Sequence, residues 1–564
     1  MIKARSSLFF LLISLSAVIS AQQLNWAKAF SGTMDEEPRA IATDKWGNIY
    51  TTGLFYGTVD FDPNLSSLAN KASQGGTDIF ISKLDSVGNF KWIKSIGGSD
   101  YEMGSALAVD TLGNIYVTGY FSGTVDFNPN AGTASLSSVS GSNDIFVLKL
   151  DSAGNFGWVK HLAGTSSEYG TAIALDKSMN ILVAGHFTGT VDFDPSTSNK
   201  NISAVNKDAF VCKLDNMGNF SWAISLTGSN DEEATSIATT SVNEVIVAGG
   251  FKGTVDFDPS TSSNYITASG GSDAFVCKLS PTGSTVWVKT ISGSGDERIN
   301  GIAIDKDENI YSTGYFNGGA ADFDSGLGSA NLVSSGNDAF VCKMGYVGNY
   351  IWAKQVAGGG NSIAWAIAVD DNAGVFTTGY FENTNDFDPG SGSHTLSSTA
   401  FSFDGYVQKL DSAGNFTWVA PVTGSGDQMG LAIAVSYDRK IYSTGYFFQT
   451  ANFNPSGSPV AITAKAFADV YVYKISENPL GVYNTNKSQH PFIVYPNPAS
   501  TVLQVNWEVE QQTIRKYTLT DVTGKIVLNN EVVSATRIDV SSLSSGLYFL
   551  YLNDYTTPIK FYKE

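Results

Sequence analysis

The residues best equipped for chemistry are carboxylates, and they recur. Asp60 and Asp62, Asp126, Asp192 and Asp194, Asp256 and Asp258, Asp322 and Asp324, and Asp386 and Asp388 stand in short acidic runs, most of them ending in proline. A second set comprises Asp35-Glu36-Glu37, Asp100 and Glu102, Glu168, Asp231-Glu232-Glu233, Asp296-Glu297 and Asp427. Hard oxygen ligands gathered beside flexible Gly/Ser turns suit Ca²⁺, which takes six to eight oxygens. Aspartate before proline also stabilises turns by hydrogen-bonding its own backbone. Asp-x-Asp alone lacks the spacing of a complete calcium loop, and a seventh copy of the run reads Asn452-Phe-Asn454. Both readings stay open at this level.

Other candidate groups are sparser. Tyr120, Tyr315, Tyr380 and Tyr446 each follow a glycine next to an acidic run, where their rings suit stacking on sugars; packing in the core or rim is the alternative. The four histidines, His161, His186, His394 and His490, occupy unrelated places, and no Ser-His-Asp, Cys-His or two-His metal set falls on one element. Cys212, Cys277 and Cys342 lie 65 residues apart, each in a Phe-Val-Cys-Lys context. A disulfide needs Cα atoms within about 7 Å, closer than equivalent points of neighbouring repeats, so all three are expected as unpaired thiols packed between units.

These residues ride on a repeat. Gly119-Tyr-Phe-Ser-Gly-Thr-Val-Asp-Phe-Asn-Pro129 and Gly185-His-Phe-Thr-Gly-Thr-Val-Asp-Phe-Asp-Pro195 are two copies of one fragment, and looser copies begin at Gly53, Gly249, Gly314, Gly379 and Gly445. A tryptophan keeps the same step at Trp26, Trp92, Trp158, Trp222, Trp287, Trp352 and Trp418. Self-similarity at this period means stacked supersecondary units. Within one unit, Ala106–Val109, Ile115–Thr118, Ile145–Lys149 and Phe156–Lys160 read as four strands joined by Gly-Asn turns that supply positive φ. Val125 and Phe127 suggest a fifth short strand, packed inward. The array starts on a lone tryptophan strand and ends on Val470-Tyr-Val-Tyr-Lys474 without one. The expectation is an all-β, seven-bladed β-propeller whose N-terminal strand closes the last blade and leaves no open edge. The tryptophans then lie on the outermost strands and fill the space between blades.

The units resemble the bacterial β-propeller repeat of the SBBP type, marked by Asp-x-x-Gly-Asn and then Ile-Tyr-Val-Thr-Gly-Tyr; the resemblance covers roughly residues 22–477 and implies a fold, not an activity. Lys3, Arg5 and the apolar stretch Leu8–Ile19 before Ser20-Ala21 read as a signal peptide, residues 1–21. Residues 478–490 form a polar linker. Residues 491–564 leave the repeat for short alternating runs, expected as a small C-terminal β-sandwich. Tyr495-Pro496-Asn497-Pro498, the turn glycine Gly524, and Gly546-Leu547-Tyr548 resemble the C-terminal sorting domain of the type IX secretion system. That resemblance implies the secretion machinery as partner and a secreted or outer-surface location. Asp85-Ser-Val, Asp151-Ser-Ala and Asp411-Ser-Ala resemble a short O-glycosylation acceptor motif.

Net charge is −19, and residues 491–564 hold seven acidic and six basic residues, so the excess acidity belongs upstream. Such a surface repels nucleic acid and anionic membranes, and no stretch after the signal peptide reaches transmembrane length. The functional expectation is a binding or adhesion module for an extracellular glycan or surface protein, with Ca²⁺ as the cation such loops suit. An extracellular glycan hydrolase or lyase, and a purely structural surface protein, are the alternatives.

Overall fold

A computed structural model of the chain describes residues 21–64, 67–258, 260, 262–399, 402–454, 457–478, 492–495, 499–507, 515–532, 537–552 and 559–563. Residues 1–20 of the expected signal peptide, 479–490 of the linker and 496–498 of the sorting motif lie outside these. The chain divides into two compact units, Met1–Pro479 and Leu480–Glu564. No helix among the described residues is long and apolar enough to cross a membrane.

The second blade shows how a repeat becomes structure. Its four antiparallel strands are Glu102–Val109, Ile115–Phe121, Asp144–Leu150 and Phe156–Gly164. The middle two are buried on both faces over almost their whole length, because each sheet is held between two others, and so they read as continuous apolar runs. The turn Asp110–Asn114 is fixed by the Asp110 carboxylate, which accepts the Leu112 and Asn114 amides at 2.8 Å, while Gly113 takes φ +84°. The expected Gly-Asn pair is corrected in one respect. Only the glycine is left-handed; the Asn114 side chain donates to Asp110 at 2.7 Å instead.

Seven such four-stranded sets are present, and their innermost strands touch in cyclic order until the last meets Glu36–Thr43 of the first. Ala21–Gly32 pairs along Asp469–Asn478, from Ala21↔Asn478 to Phe30↔Val470. The first strand of the chain is thereby the fourth strand of the seventh blade. Phe30, 1% exposed, packs on Phe61 and Phe80 at 5.4 and 6.3 Å.

The expected fifth strand is corrected. Thr190–Asp192 pairs with Asn201–Ser203 and then with Ala163 and Gly164 of the preceding blade. Six of the seven copies add a hairpin to the blade before in this way, and in five blades the tryptophan strand is thereby fourth of six and not outermost, whereas Phe90–Ile96, with Trp92, stays outermost of four. Phe193 of the same segment packs on Phe187 and Phe210 of its own blade at 5.4 and 4.9 Å. Each hairpin thus sutures two blades.

A second suture lies on the opposite face. Lys83 donates to the Ser152 carbonyl at 2.9 Å and Lys474 to that of Ser86 at 2.7 Å, each reaching the third-to-fourth-strand turn of the next blade. Trp92 and Trp158 lie against the glycines of these turns, Gly154 and Gly218. The tryptophans therefore do occupy the seams between blades. Cys212, Cys277 and Cys342 are free, buried thiols inside three apolar clusters.

The C-terminal unit, by itself, is two sheets. Phe492–Tyr495, Val502–Trp507 and Arg537–Asp539 form one; Ile526–Val532, Arg515–Asp521, Gly546–Leu552 and Ile559–Lys563 form the other. Leu503, Val505, Leu519, Ile538, Leu550 and Phe561 make the core between them. Gly524 takes φ +83° in a turn whose Asp521 accepts the Thr523 and Lys525 amides. Tyr548 is buried and donates to the Ser544 carbonyl at 2.8 Å.

Candidate functional site

The first carboxylate set sits in the suture hairpins, and in each carboxylate one oxygen, Oδ1, accepts backbone amides. Asp60 accepts from Asp62 and Ala69 at 3.1 and 2.8 Å, Asp126 from Asn128 and Ala134 at 3.0 and 2.8 Å, and Asp192 from Asp194 and Lys200 at 3.0 and 2.7 Å. Asp256, Asp322 and Asp386 repeat the pattern. Asp62, Asp194, Asp258, Asp324 and Asp388 each accept the amide two residues on. Asn452 does the same for Asn454 and Val460, so a neutral amide can carry out this bonding. Among the described residues no three His, Cys, Asp or Glu side chains are grouped to hold a metal ion.

The second set divides by strand alternation. Glu36, Glu102, Glu168, Glu232 and Glu297 are not in loops; each is the first residue of an innermost strand and wholly buried. Burial, reinforced by a neighbouring aspartate, pushes Glu168 and Glu232 up to about 9 and Glu297 to about 8. The next residue along points the other way, half-buried at the mouth of the ring.

At that mouth two positions face each other in register in every blade. The pairs are Glu37↔Leu54, Met103↔Tyr120, Tyr169↔His186, Glu233↔Gly250, Arg298↔Tyr315, Ile363↔Tyr380 and Met429↔Tyr446. The second-strand residue always stands between a glycine and a buried phenylalanine, such as Gly119 and Phe121. That glycine has a mechanical reason: a Cβ at Gly119 would collide with the Met103 carbonyl, and the other six equivalents meet the same obstacle. Fixed framework residues thus flank two positions that differ from blade to blade.

The four expected tyrosines, Tyr120, Tyr315, Tyr380 and Tyr446, are all in this ring, joined by Glu37, Glu233 and His186, named above among the acids and histidines, and by Tyr169, Arg298 and Lys207, which the sequence reading had not singled out. Tyr120 meets Tyr169 edge-on at 4.9 Å, and Tyr169 lies 4.9 Å from His186. His186, held neutral by burial with its pKa lowered to about 4, adjoins Glu233. Glu233 bonds Arg298 at 2.6 Å and also takes Lys207. Arg298 is the register partner of Tyr315, and Tyr315, Tyr380 and Tyr446 hold the same place in successive blades, within electrostatic reach of one another. Glu37, paired with Arg39 at 2.9 Å, lies between Tyr446 and Tyr120 and completes the circuit. Burial raises all four tyrosine hydroxyls, Tyr446 to about 12, so they are neutral donors at physiological pH. The arrangement offers aromatic faces and paired charges, a surface for recognition. His161 and His394 stand elsewhere, on Asp144 at 2.6 Å and stacked on Phe416.

Residues 91–120 match the family described as the β-propeller repeat, and residues 493–561 match the secretion system C-terminal sorting domain. The chain has the propeller fold and contains this repeat. More particularly, it carries a type IX sorting domain, which implies dealings with that machinery and secretion. A WD repeat-containing protein, L264, of Acanthamoeba polyphaga mimivirus is 24% identical over 535 residues, covering 80% of this chain and 38% of that protein. The regulatory protein FlaEY of Caulobacter vibrioides is 28% identical over 152 residues, 26% of this chain and 15% of that protein. The chain therefore spans well under half the length of these relatives. The Pan2 WD40 domain of Neurospora crassa superposes with a TM-score of 0.39 at 9% identity, covering 81% of this chain and 96% of that one.

Proposed function

We propose that this protein is an extracellular glycan-binding propeller, delivered to the cell surface by type IX secretion, and that the mouth ring is its binding surface. The observation that carries the reading is the pattern of variation inside the chain. Blade-building positions repeat, whereas the two mouth positions diverge, and nine of their fourteen residues are tyrosine, histidine or charge-paired, the others being Leu54, Met103, Gly250, Ile363 and Met429. A purely structural ring has no use for such divergence at half-exposed positions. Half-buried aromatics present flat apolar faces for sugar C–H groups, and their hydroxyls and the Glu–Arg pairs serve sugar hydroxyls. A net-negative propeller disfavours polyanionic partners at long range.

The test is binding of the full secreted protein to an array of immobilised neutral and acidic oligosaccharides, alongside a variant with Tyr120, Tyr315, Tyr380 and Tyr446 changed to alanine. Retention of wild type, lost in the quadruple variant at an unchanged melting temperature, supports the reading. Equal retention of both proteins, or of neither, removes it.

A further inference from the structure

One blade departs from the ring. Where six blades place Leu54, Tyr120, His186, Tyr315, Tyr380 or Tyr446, the fourth has Gly250. The backbone does not require it. Gly250 lacks a left-handed φ, and a Cβ there would meet nothing nearer than Arg298 Cγ at 3.8 Å, in contrast to the framework glycine beside it, Gly249, where a Cβ would strike the Glu233 carbonyl. The missing side chain leaves a cavity of about 200 Å³ lined by Lys207, Asp231, Glu233, Asp296, Arg298 and Tyr315, among others. Sites that enclose drug-sized molecules run to roughly 300–1,000 Å³, so this one has room for a single ring.

Its lining narrows the chemistry. Three cations (Lys207, Arg298 and Lys252) face three carboxylates (Asp231, Glu233 and Asp296). An anionic ligand would meet the carboxylates and a cationic one the bases, with no net attraction for either. A neutral polyol uses both signs at once, because each hydroxyl donates to a carboxylate and accepts from a base. The Arg298–Glu233 pair, 2.6 Å apart, sets a donor beside an acceptor, the arrangement two adjacent ring hydroxyls can bridge. Tyr315 adds an aromatic wall.

We propose that the Gly250 cavity is the primary subsite of the mouth, seating one neutral pyranose against Tyr315 with neighbouring hydroxyls on Arg298 and Glu233. This rests on the glycan reading of the ring.

The experiment is saturation-transfer NMR and titration of the full secreted protein with methyl glucoside, methyl galactoside, methyl mannoside and methyl glucuronide, using wild type, Gly250→Tyr, Tyr315→Ala and Tyr446→Ala. Gly250→Tyr restores the side chain commonest in the ring; if it does not fold, Gly250→Leu, the residue type of the first blade, replaces it. The expected result is binding of at least one neutral glycoside and weaker binding of the glucuronide. Affinity should fall at least tenfold in Gly250→Tyr and Tyr315→Ala and less than threefold in Tyr446→Ala. Binding that survives Gly250→Tyr but is lost in Tyr446→Ala overturns the subsite and leaves the ring reading standing. No binding of any glycoside by wild type overturns both.

Discussion

Glu36 and Asp469 come from opposite ends of the propeller and are buried side by side in the joint that closes it, each carboxylate shifting the other's ionisation. Two carboxylates buried together repel too strongly for both to be charged. Burial, then the Asp469 charge, pushes Glu36 up to about 10, so Glu36 holds the proton. Related pairs occupy four more seams, Glu102 with Asp78, Glu168 with Asp144, Glu232 with Asp208 and Glu297 with Asp273.

These groups give stability a sign with pH. Each glutamate binds its proton more tightly folded than unfolded, so its contribution is fully present below about 4.5, the ordinary glutamate value, and is lost as pH rises through the folded values, from about 7 for Glu102 to about 10 for Glu36. Each contributes a slope of at most about 1.4 kcal/mol per pH unit. The melting temperature is expected to fall between pH 5 and pH 9. Glu168→Gln should flatten the curve, since Gln428 already fills the equivalent place in the seventh blade, buried beside Asp404. An identical pH profile in that variant would refute the account.

Five first-turn positions lack the glycine that Gly47 and Gly113 supply, yet adopt the same left-handed φ: Met179 at 64°, Asn243 at 66°, Glu308 at 63°, Ala373 at 57° and Arg439 at 56°. An L-residue there costs about 1–2 kcal/mol. Ala373→Gly is expected to stabilise by up to about 1 kcal/mol once glycine's greater unfolded-state freedom is subtracted, and Gly113→Ala to destabilise by about 1–2 kcal/mol. Urea titrations of both variants decide the matter.

At the joint, Phe30→Ala removes a ring buried against Phe61 and Phe80 and should cost about 3–5 kcal/mol. Deleting residues 21–32 should do worse, leaving Asp469–Asn478 paired only with Ile441–Phe447 and Thr58–Asp60 only with Asn70–Ala72, each with one edge open. Loss of a cooperative melt and self-association in gel filtration are the expected outcome; a monomeric deletion variant with a sharp melt would show that closure contributes little.

Asp126→Asn keeps the acceptor for Asn128 and Ala134 and copies Asn452 of the last repeat. Stability should change by less than about 0.5 kcal/mol, and melts in millimolar Ca²⁺ and in chelator should overlay. A rise of several degrees in Ca²⁺ that Asp126→Asn diminishes would instead give the hairpins a metal role.

Burial raises the Cys277 and Cys342 thiols to about 12 and Cys212 higher still. Native protein is expected to resist a thiol-directed reagent for hours and to react at three sites once unfolded. Prompt native labelling would mean the blades part readily.

The fold was legible because Gly119-Tyr-Phe and its copies fix both the period and the strand order, and because the lone Trp26 strand and the incomplete last repeat complement each other. The hairpin swap was not, since pairing Ala163 with Asp192 joins neighbouring repeats and leaves no mark on either. Tyr120, Tyr315, Tyr380 and Tyr446 could be found from their phase in the repeat. Glu233 was visible only as one acid of a loop set and Arg298 not at all, because they occupy a place where the copies disagree; that disagreement was itself the available signal. Glu102 and Glu168 read as surface acids until strand alternation turned them inward.

The joint also acts as an inspection step. The strand that completes the ring, Asp469–Asn478, is the last one before the sorting domain, and its partner is the first strand of the unit. A chain cut short anywhere in between has nothing to seat Ala21–Gly32, and it ends with an exposed sheet edge that proteases and aggregation both find. Only chains that extend through Asn478 can acquire the closed form, and the export address lies beyond that strand, so any chain carrying the address also carries the strand that closes the ring.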